Sequence, residues 1–277
     1  MLNAEPVALV TGATSGIGEA IAERLHAANY RVFAVGRNPE ALQRLQSRGL
    51  AARSLDVTDE AAVDRLVQEI QTSHGGVDLL INCAGFPLTG PLEQLTLSDL
   101  RSLFETNLVA ALHLSQLVLP GMRERGTGTI VNIGSTAGRF VGPGAGGYHI
   151  VKYGMEALSL ALRAEVAPFG VRVVLLDPTG VRTPFVTTQL DAHPTYDDDD
   201  PYGGFKRRYA ESTRRLSGTP RVMITPETVA RAVVRVVEAK NPKPRYTIGA
   251  SGKATLLLRA LLTDRMWERI LMLGLRD

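Results

Sequence analysis

Short apolar segments alternate with amphipathic helical segments along this chain, and this alternation constrains its fold more than any other feature. Val7 to Val10 is apolar throughout, and Gly18 to Ala28 follows with apolar residues at helical spacing. Further predicted strands lie near residues 31–35, 51–55, 77–81, 129–133, 171–176 and 245–248. Strands that are apolar on both faces and separated by helices form parallel sheets covered on both sides. With right-handed crossovers, the sequence predicts an α/β fold with a doubly wound, mostly parallel seven-stranded sheet and helices on both faces.

Two regions interrupt this alternation within what we expect to be a single domain, residues 1–277. The stretch around residues 187–220 is polar and contains four consecutive aspartates. A connection of this length inside a compact domain is typical of a functional lid, so we predict one there. Residues 252–274 are rich in Leu and Met but interrupted by charges, which predicts a C-terminal extension of one or two amphipathic helices. This extension packs on the body, on a partner subunit or on a membrane surface, and the sequence does not decide between these.

Composition excludes several classes of protein. The chain has 277 residues, of which 44% are hydrophobic, and a net charge of +3, which gives little reason to expect a nucleic-acid partner. Its single cysteine excludes a disulfide framework and favours a reducing compartment, so we expect a cytoplasmic protein. We expect no signal peptide and no transmembrane segment, because no long uncharged apolar stretch occurs. The histidines are scattered without metal-ligand spacing, so we expect no metal.

A glycine-rich turn connects the first predicted strand to the first predicted helix. Three glycines there would permit a tight turn, close approach of a pyrophosphate to the backbone, and close packing of helix on sheet. The free N–H groups of the helix N-terminus attract phosphates. We therefore predict a dinucleotide-binding turn in a Rossmann-type fold, although a plain glycine-rich turn would show the same pattern. The candidate cofactor-binding residues are Gly12, Thr14, Ser15, Gly16, Ile17 and Gly18.

The end of the second strand indicates which nicotinamide cofactor is bound. An acidic residue at this point of a doubly wound fold suits NAD, whereas an arginine accommodates the 2′-phosphate of NADP. Here Gly36 leaves room and Arg37 offers a fork of donors for a phosphate. We predict that NADP(H) is preferred over NAD(H), the alternative being that Arg37 is an ordinary surface arginine.

Tyr148 and Lys152 lie four residues apart at the start of a predicted helix, which places both side chains on one face. A phenol is a poor acid–base group near neutral pH, but a neighbouring ammonium favours its ionised form. Such a tyrosine can give a proton to a carbonyl oxygen or take one from an alcohol. The pair alone is a weak signal, because any amphipathic helix can contain it.

Together with Asn82-Cys83-Ala84-Gly85, Asn107 and Ser135, these motifs resemble the short-chain dehydrogenase/reductase family, in its short branch, over about residues 5–185. The resemblance implies that Tyr148 is the general acid–base, that Lys152 binds the nicotinamide ribose, that Ser135 holds the substrate oxygen, and that Asn107 holds a water. It further implies cofactor contacts from Asp56, Val57, Asn82, Ala84, Gly85, Pro178, Gly180, Val181 and Thr183. Two positions depart from the family's pattern, since Thr179 separates Pro178 from Gly180 and Cys83 stands where asparagine is commoner.

The resemblance also implies a function and an assembly. We expect an NADP(H)-dependent oxidoreductase that interconverts a ketone or aldehyde and an alcohol, and a homodimer or homotetramer. The C-terminal stretch is more distantly similar to the branch with 17β-hydroxysteroid and retinol dehydrogenases. This implies a bulky apolar substrate, steroid-like or another bulky carbonyl compound, held near Phe86 and Phe140. The alternatives are a nicotinamide-sensing binding protein without turnover and a serine hydrolase. The hydrolase lacks support because Gly134 to Gly138 does not form the usual nucleophile motif.

Overall fold

The computed structural model describes residues 5–191, 199–219 and 222–273, and it contains the predicted doubly wound sheet. All seven strands lie in one sheet and every pairing is parallel. The strands are β1 (Val7–Thr11), β2 (Arg31–Gly36), β3 (Ala51–Ser54), β4 (Leu79–Asn82), β5 (Gly128–Ile133), β6 (Val171–Pro178) and β7 (Arg245–Ile248). The α/β fold class predicted from the alternating pattern is confirmed.

The strand order is β3-β2-β1-β4-β5-β6-β7, so the chain crosses from one edge of the sheet to its middle after β3. The order therefore reverses between β1 and β4, which are hydrogen-bonded neighbours. In open α/β sheets, ligands bind outside the carboxyl ends of the strands at such a switch point. The glycine-rich turn follows β1 and residues 83–85 follow β4, so both predicted motifs lie at this point.

Each face of the sheet is covered by helices, and this explains why strands such as β1 are almost entirely apolar. In β1, Ala8 and Val10 belong to the core on one face, whereas Val7 and Leu9 belong to the core on the other. Side chains alternate between the two faces of a strand, so a strand buried on both faces cannot alternate with polar residues. The two cores hold the sheet rigid beneath the strand ends.

The helices number more than the sequence pattern predicted. They are α1 (Gly16–His26), α2 (Pro39–Ser47), α3 (Glu60–His74), α4 (Leu97–Phe104), α5 (Ala110–Arg125), α6 (Gly146–Val166), α7 (Pro184–Asp191), α8 (Gly203–Ser217), α9 (Pro226–Glu238), α10 (Ala250–Leu261) and α11 (Asp264–Leu273). The region predicted as a lid contains α7 and α8, while its residues 192–198 and 220 lie outside the described residues. The predicted C-terminal extension forms two helices, and the first begins at Ala250.

The helical stretch before β5 is not uniform. A π-helical turn, Glu105–Val109, separates α4 from α5. Within the described residues, Leu97–Arg125 is also the one stretch long and apolar enough to cross a membrane. Length and composition are weak grounds for a membrane span, since core helices of other proteins satisfy them too. Here Leu103, Leu114 and Met122 on this stretch are fully buried.

Candidate active site

The glycine-rich turn wraps closely around the carboxyl end of β1. Gly12 has a φ of +65°, and a Cβ atom there would lie 2.9 Å from the backbone of Ala84, so only glycine fits without strain. Ser15 is the N-cap of α1, but its side chain makes no capping hydrogen bond. The first N–H groups of α1 are therefore not capped by that side chain and face the cleft, as an anion-binding helix N-terminus requires.

A threonine joins this turn to the end of β4. The Oγ1 atom of buried Thr11 accepts hydrogen bonds from the backbone N–H groups of Cys83 and Ala84, both at 3.0 Å. These bonds fix residues 83–85 beside the glycine turn.

Asn82, the neighbouring residue predicted to contact the cofactor, points elsewhere. Its Nδ2 atom donates to Oδ1 of Asn132 at 2.8 Å, and Nδ2 of Asn132 donates to Ser159 at 2.9 Å. The side chains of these residues are buried beneath the cleft, where they tie β4 and β5 to α6. The structure therefore places Asn82 in a buried polar network that supports the strand ends, and not in the cleft itself.

The other end of the cleft carries the residues predicted to select the cofactor. A Cβ atom at Gly36 would lie 2.6 Å from Thr14, so the absence of a side chain keeps β2 and the glycine turn in contact. Arg37 follows with its side chain 74% exposed, and its Nη1 atom lies 3.5 Å from Oδ2 of Asp56. Hydrogen bonds from Thr58, with the Arg37 guanidinium as a smaller contribution, lower the pKa of Asp56. This exposed guanidinium at the end of the cleft can contact an added phosphate.

Tyr148, Ser135 and Lys152 converge at the opposite end. Tyr148 lies in the first turn of α6, with its phenol beside the hydroxyl of Ser135, which follows β5. The Ser135 Oγ atom also accepts from the N–H group of Ala137 at 3.1 Å. Lys152 lies one turn further along α6, with its Nζ atom donating to the carbonyl of Ile133 at 2.9 Å and 5.6 Å from the centre of the Tyr148 ring. The predicted spacing thus brings a phenol, a hydroxyl and an ammonium group together.

Burial dominates the titration of these groups. It raises the pKa of Tyr148, and the hydrogen bond from Ser135 partly opposes this. Burial also lowers the pKa of Lys152 to about 8, while the charges of Cys83 and Asp177 act in the opposite direction. Asp177 is fully buried behind the site, where burial and the nearby Glu156 raise its pKa to about 8 and Arg245 lowers it. Lys152 therefore loses its charge more readily than an exposed lysine.

Asn107 lies in the π-helical turn and holds the loop that follows β4. Its Oδ1 atom accepts from the N–H group of Phe86 at 3.1 Å, and its Nδ2 atom donates to the carbonyl of the same residue at 3.0 Å. The amide group is therefore engaged with Phe86 through one N–H group and one lone pair, and the predicted contact of Asn107 with a water stays a prediction. π-helical turns are frequent at functional sites.

The segment after β6 closes the cleft opposite the glycine turn. A Cβ atom at Gly16 would lie 2.9 Å from Cγ2 of Thr183, so the two motifs face each other directly. Gly180, the glycine that lies one residue later than in the family's pattern, accepts a hydrogen bond at its carbonyl from the N–H group of Ile224 at 2.9 Å. Phe185 follows in α7, and its ring lies edge-on to that of Tyr148 with the centroids 5.7 Å apart.

These parts enclose one cleft of about 480 Å³. Nearly all of the predicted site residues line it: Gly12, Thr14, Ser15, Gly16, Ile17, Gly18, Arg37, Asp56, Val57, Ala84, Gly85, Asn107, Ser135, Tyr148, Lys152, Pro178, Gly180, Val181 and Thr183. Asn82 does not. The residues that sequence reasoning missed include Asn38, Leu55, Cys83, Thr106, Ile133, Gly134, Thr179 and Phe185. Phe86 lines the cleft as expected, whereas Phe140 packs against His149 and Trp267 instead.

Comparison with known proteins agrees with this geometry. The model of the family described as short chain dehydrogenase matches residues 6–193. The chain belongs to the short-chain dehydrogenase family. It is 32% identical to "Oxidoreductase BOA17" of Botryotinia fuckeliana (94% of this chain, 96% of that protein). It is 31% identical to an "NADPH-dependent 3-dehydrocapnine reductase" of Ornithobacterium rhinotracheale (95% of each) and 30% identical to a "3-ketodihydrosphingosine reductase" of Bacteroides thetaiotaomicron (88% and 87%).

Solved structures agree with this assignment. A short-chain dehydrogenase from Streptomyces avermitilis superposes with a TM-score of 0.80 at 33% identity, covering 97% of each chain. An actinorhodin polyketide ketoreductase with NADPH superposes with a TM-score of 0.74 at 32% identity, covering 90% of this chain and 96% of that one. This short-chain dehydrogenase is therefore an NAD(P)-dependent oxidoreductase.

His149 follows the catalytic tyrosine candidate in this short-chain dehydrogenase but lies outside the cleft. Its Nε2 atom accepts from the N–H group of Gly142 at 3.0 Å, and its Nδ1 atom lies 2.7 Å from the carbonyl of Ala137. This arrangement requires a neutral ring protonated at Nδ1, because a proton on Nε2 would meet the N–H group of Gly142. His149 therefore fastens the loop beside Ser135 to α6.

The buried His149 predicts a loss of stability in mild acid. Burial lowers its pKa below 6.5, so the unfolded chain binds this proton more readily than the folded chain. The free energy of unfolding should fall as the pH drops through about 6.5, and His149→Gln should reduce this fall. Urea unfolding at pH 7.5 and pH 5 measures this fall in the free energy of unfolding. His26→Gln is the matched control, because His26 is exposed. An equal fall in His149→Gln and in the unchanged protein would show that His149 is not responsible.

Proposed function

We propose that this protein is an NADP(H)-dependent carbonyl reductase, in which Tyr148 exchanges a proton with the substrate oxygen. The observation that carries the proposal is the convergence of Tyr148, Ser135 and Lys152 in the same cleft as the glycine-rich turn. A protein that only senses a nicotinamide needs the turn but not this set of acid–base groups. The oxidising direction uses the same residues in reverse.

Groups that would suit a dinucleotide line both ends of the cleft. The N-terminus of α1 suits the anionic pyrophosphate, and Gly12 leaves its backbone open to close approach. Arg37 would hold a 2′-phosphate at one end, while Lys152 and the Pro178–Thr183 segment would hold the nicotinamide half at the other. The NADPH-bound ketoreductase and the relative named as NADPH-dependent support a preference for NADP(H).

When bound, the nicotinamide exchanges a hydride with the carbonyl carbon of the substrate. The protein's own groups act on the oxygen. The Ser135 Oγ atom accepts from Ala137 and keeps its own hydrogen, which can turn from Tyr148 to the substrate oxygen. Tyr148 lies beside that serine and donates the proton that the oxygen needs. Lys152 lies behind the ring as a cation that favours the phenolate left after this transfer.

We propose a bulky apolar ketone as the substrate. Phe86 and Phe185 lie on the walls of the cleft near Tyr148 and offer apolar surface to such a molecule. Two relatives that match most of this chain are named as reductases of 3-dehydrocapnine and of 3-ketodihydrosphingosine. These names favour an open-chain ketone with a long apolar part over a steroid.

Phe185 supplies a test of this substrate class. Replacing it with alanine removes apolar contact surface from the cleft wall, which is worth about 1.5–3 kcal/mol for a fully buried side chain. We expect Phe185→Ala to raise KM for a long-chain ketone about 10-fold and to leave KM for NADPH unchanged. Steady-state kinetics measures both constants, with Phe169→Ala, an exposed phenylalanine outside the cleft, as the control. Equal KM values in Phe185→Ala and the unchanged protein would exclude a role for this ring.

The decisive experiment is a screen with the purified protein. Ketones of increasing alkyl length, including a 3-keto long-chain base, would be supplied with NADPH or NADH while absorbance of the reduced nicotinamide is followed. We expect turnover with NADPH that improves with chain length. Tight binding of NADPH with no turnover on any ketone, and no reduction of the oxidised cofactor by the matching alcohols, would favour the nicotinamide-sensing alternative.

We also propose a homodimer or homotetramer in the cytoplasm. Apolar side chains are exposed along the helices that carry Asn107 and Tyr148, namely Val109, Leu112, Ile150, Tyr153 and Leu160. Such a face is typical of a subunit interface. The unpaired Cys83 is compatible with a reducing compartment. Sedimentation equilibrium would measure the number of subunits.

A further inference from the structure

The two C-terminal helices expose an apolar surface that has no role in the proposed reaction. Along α10, Ala254, Leu257, Leu258 and Leu261 follow helical spacing and share one side. That side faces solvent, since Leu257 is 64% exposed and Leu261 is 74% exposed. Helices on a protein surface normally turn their apolar side inward. We call this side of α10, together with the side of α11 that carries Met266 and Ile270, the C-terminal face.

The next helix follows after a two-residue connection and also exposes apolar side chains. Met266 and Ile270 lie four residues apart on one side of α11, and both are exposed. The helix cannot rotate to bury them, because Trp267 is fixed to the body. Its ring packs edge-on against Phe140, and its Nε1 atom donates to the carbonyl of Val141 at 3.3 Å.

Cationic side chains lie among these apolar ones. Lys253 is four residues before Leu257, and Arg269 is three residues after Met266, so each shares the exposed side of its helix. Arg265 is also exposed, four residues before Arg269. The carboxylates are placed differently. Asp264 pairs with Arg259, and both Asp264 and Glu268 are two residues from Met266, nearly opposite to it around α11.

We propose that the C-terminal face binds the surface of an anionic lipid bilayer. Apolar side chains that enter the acyl boundary, together with Lys and Arg that reach the headgroup phosphates, are the combination that interfacial helices use. A second copy of the chain fits this face less well. A symmetric contact would bring the cations of both copies into one interface without carboxylates on that face to pair with them.

The test is sedimentation of the full-length protein with vesicles, which does not depend on enzymatic turnover. We expect about 10-fold stronger binding to vesicles of equal parts phosphatidylglycerol and phosphatidylcholine than to phosphatidylcholine alone. The double variant Leu257→Gln, Leu261→Gln should weaken binding to the anionic vesicles about 10-fold or more. Leu216→Gln is the matched control, because Leu216 is 51% exposed on α8, outside this face. Replacing Lys253, Arg265 and Arg269 with glutamine should remove the preference for anionic lipid.

Three results would overturn the proposal. The first is failure of the unchanged protein to bind the anionic vesicles at low salt. The second is equal binding by the double leucine variant and the Leu216→Gln control. The third is a change of oligomeric state in the double leucine variant, measured by sedimentation equilibrium without vesicles, which would show that a second copy covers the face. Circular dichroism and NADPH binding would verify that each variant is folded.

Discussion

Tyr148→Phe should lower kcat about 1,000-fold while leaving the Kd for NADPH nearly unchanged. The substitution removes only the phenolic oxygen, and the ring can keep its edge-on contact with Phe185. General acid–base catalysis by a positioned side chain contributes about 10²- to 10⁴-fold to the rate. Ser135 and Lys152 remain in place, so the residual rate reports the electrostatic environment without the proton donor. Turnover with a ketone and the quenching of protein fluorescence by NADPH measure the two quantities.

A matched control lies on the same helix. Tyr153 is 42% exposed on α6 and points away from the cleft, so Tyr153→Phe removes an identical atom without touching the site. It should keep near-normal kcat. If Tyr148→Phe also kept near-normal kcat, the proton would have to come from another group or from water, and the role proposed for Tyr148 would be wrong.

Much of this architecture could be predicted because it depends on local patterns. Strands buried on both faces are nearly all apolar, as β1 and β4 show, and this pattern predicted where such strands lie along the chain. The glycine turn could be predicted because Gly12 needs a positive φ and close contact with Ala84, which no other residue type tolerates. The pairing of Tyr148 with Lys152 follows from helical spacing alone.

The remainder depends on contacts between distant segments. The π-helical turn at Glu105–Val109 accompanies the bonds of Asn107 to Phe86, a residue 21 positions earlier, so helical periodicity does not reveal it. Asn82 was predicted in the cleft because of its motif, but strand alternation turns its side chain toward Asn132 beneath the sheet edge. Phe185 reaches Tyr148 only through the fold of the segment after β6, and no pattern around Phe185 signals that contact.

Arg37→Ala should lower kcat/KM for NADPH about 10- to 100-fold and leave kcat/KM for NADH within about 2-fold. Hydrogen bonds to charged groups contribute about 1.5–3 kcal/mol each, and only NADPH carries the 2′-phosphate that Arg37 would bind. The contact between Arg37 and Asp56 is weak and partly exposed to solvent, so its loss should lower the free energy of unfolding only slightly. Arg53→Ala is the matched control, because Arg53 is a half-exposed arginine paired with Glu69 outside the cleft. An equal fall of kcat/KM with both cofactors would mean that Arg37 supports the cleft as a whole and does not bind the 2′-phosphate. An unchanged kcat/KM with NADPH would remove the basis for the predicted cofactor preference.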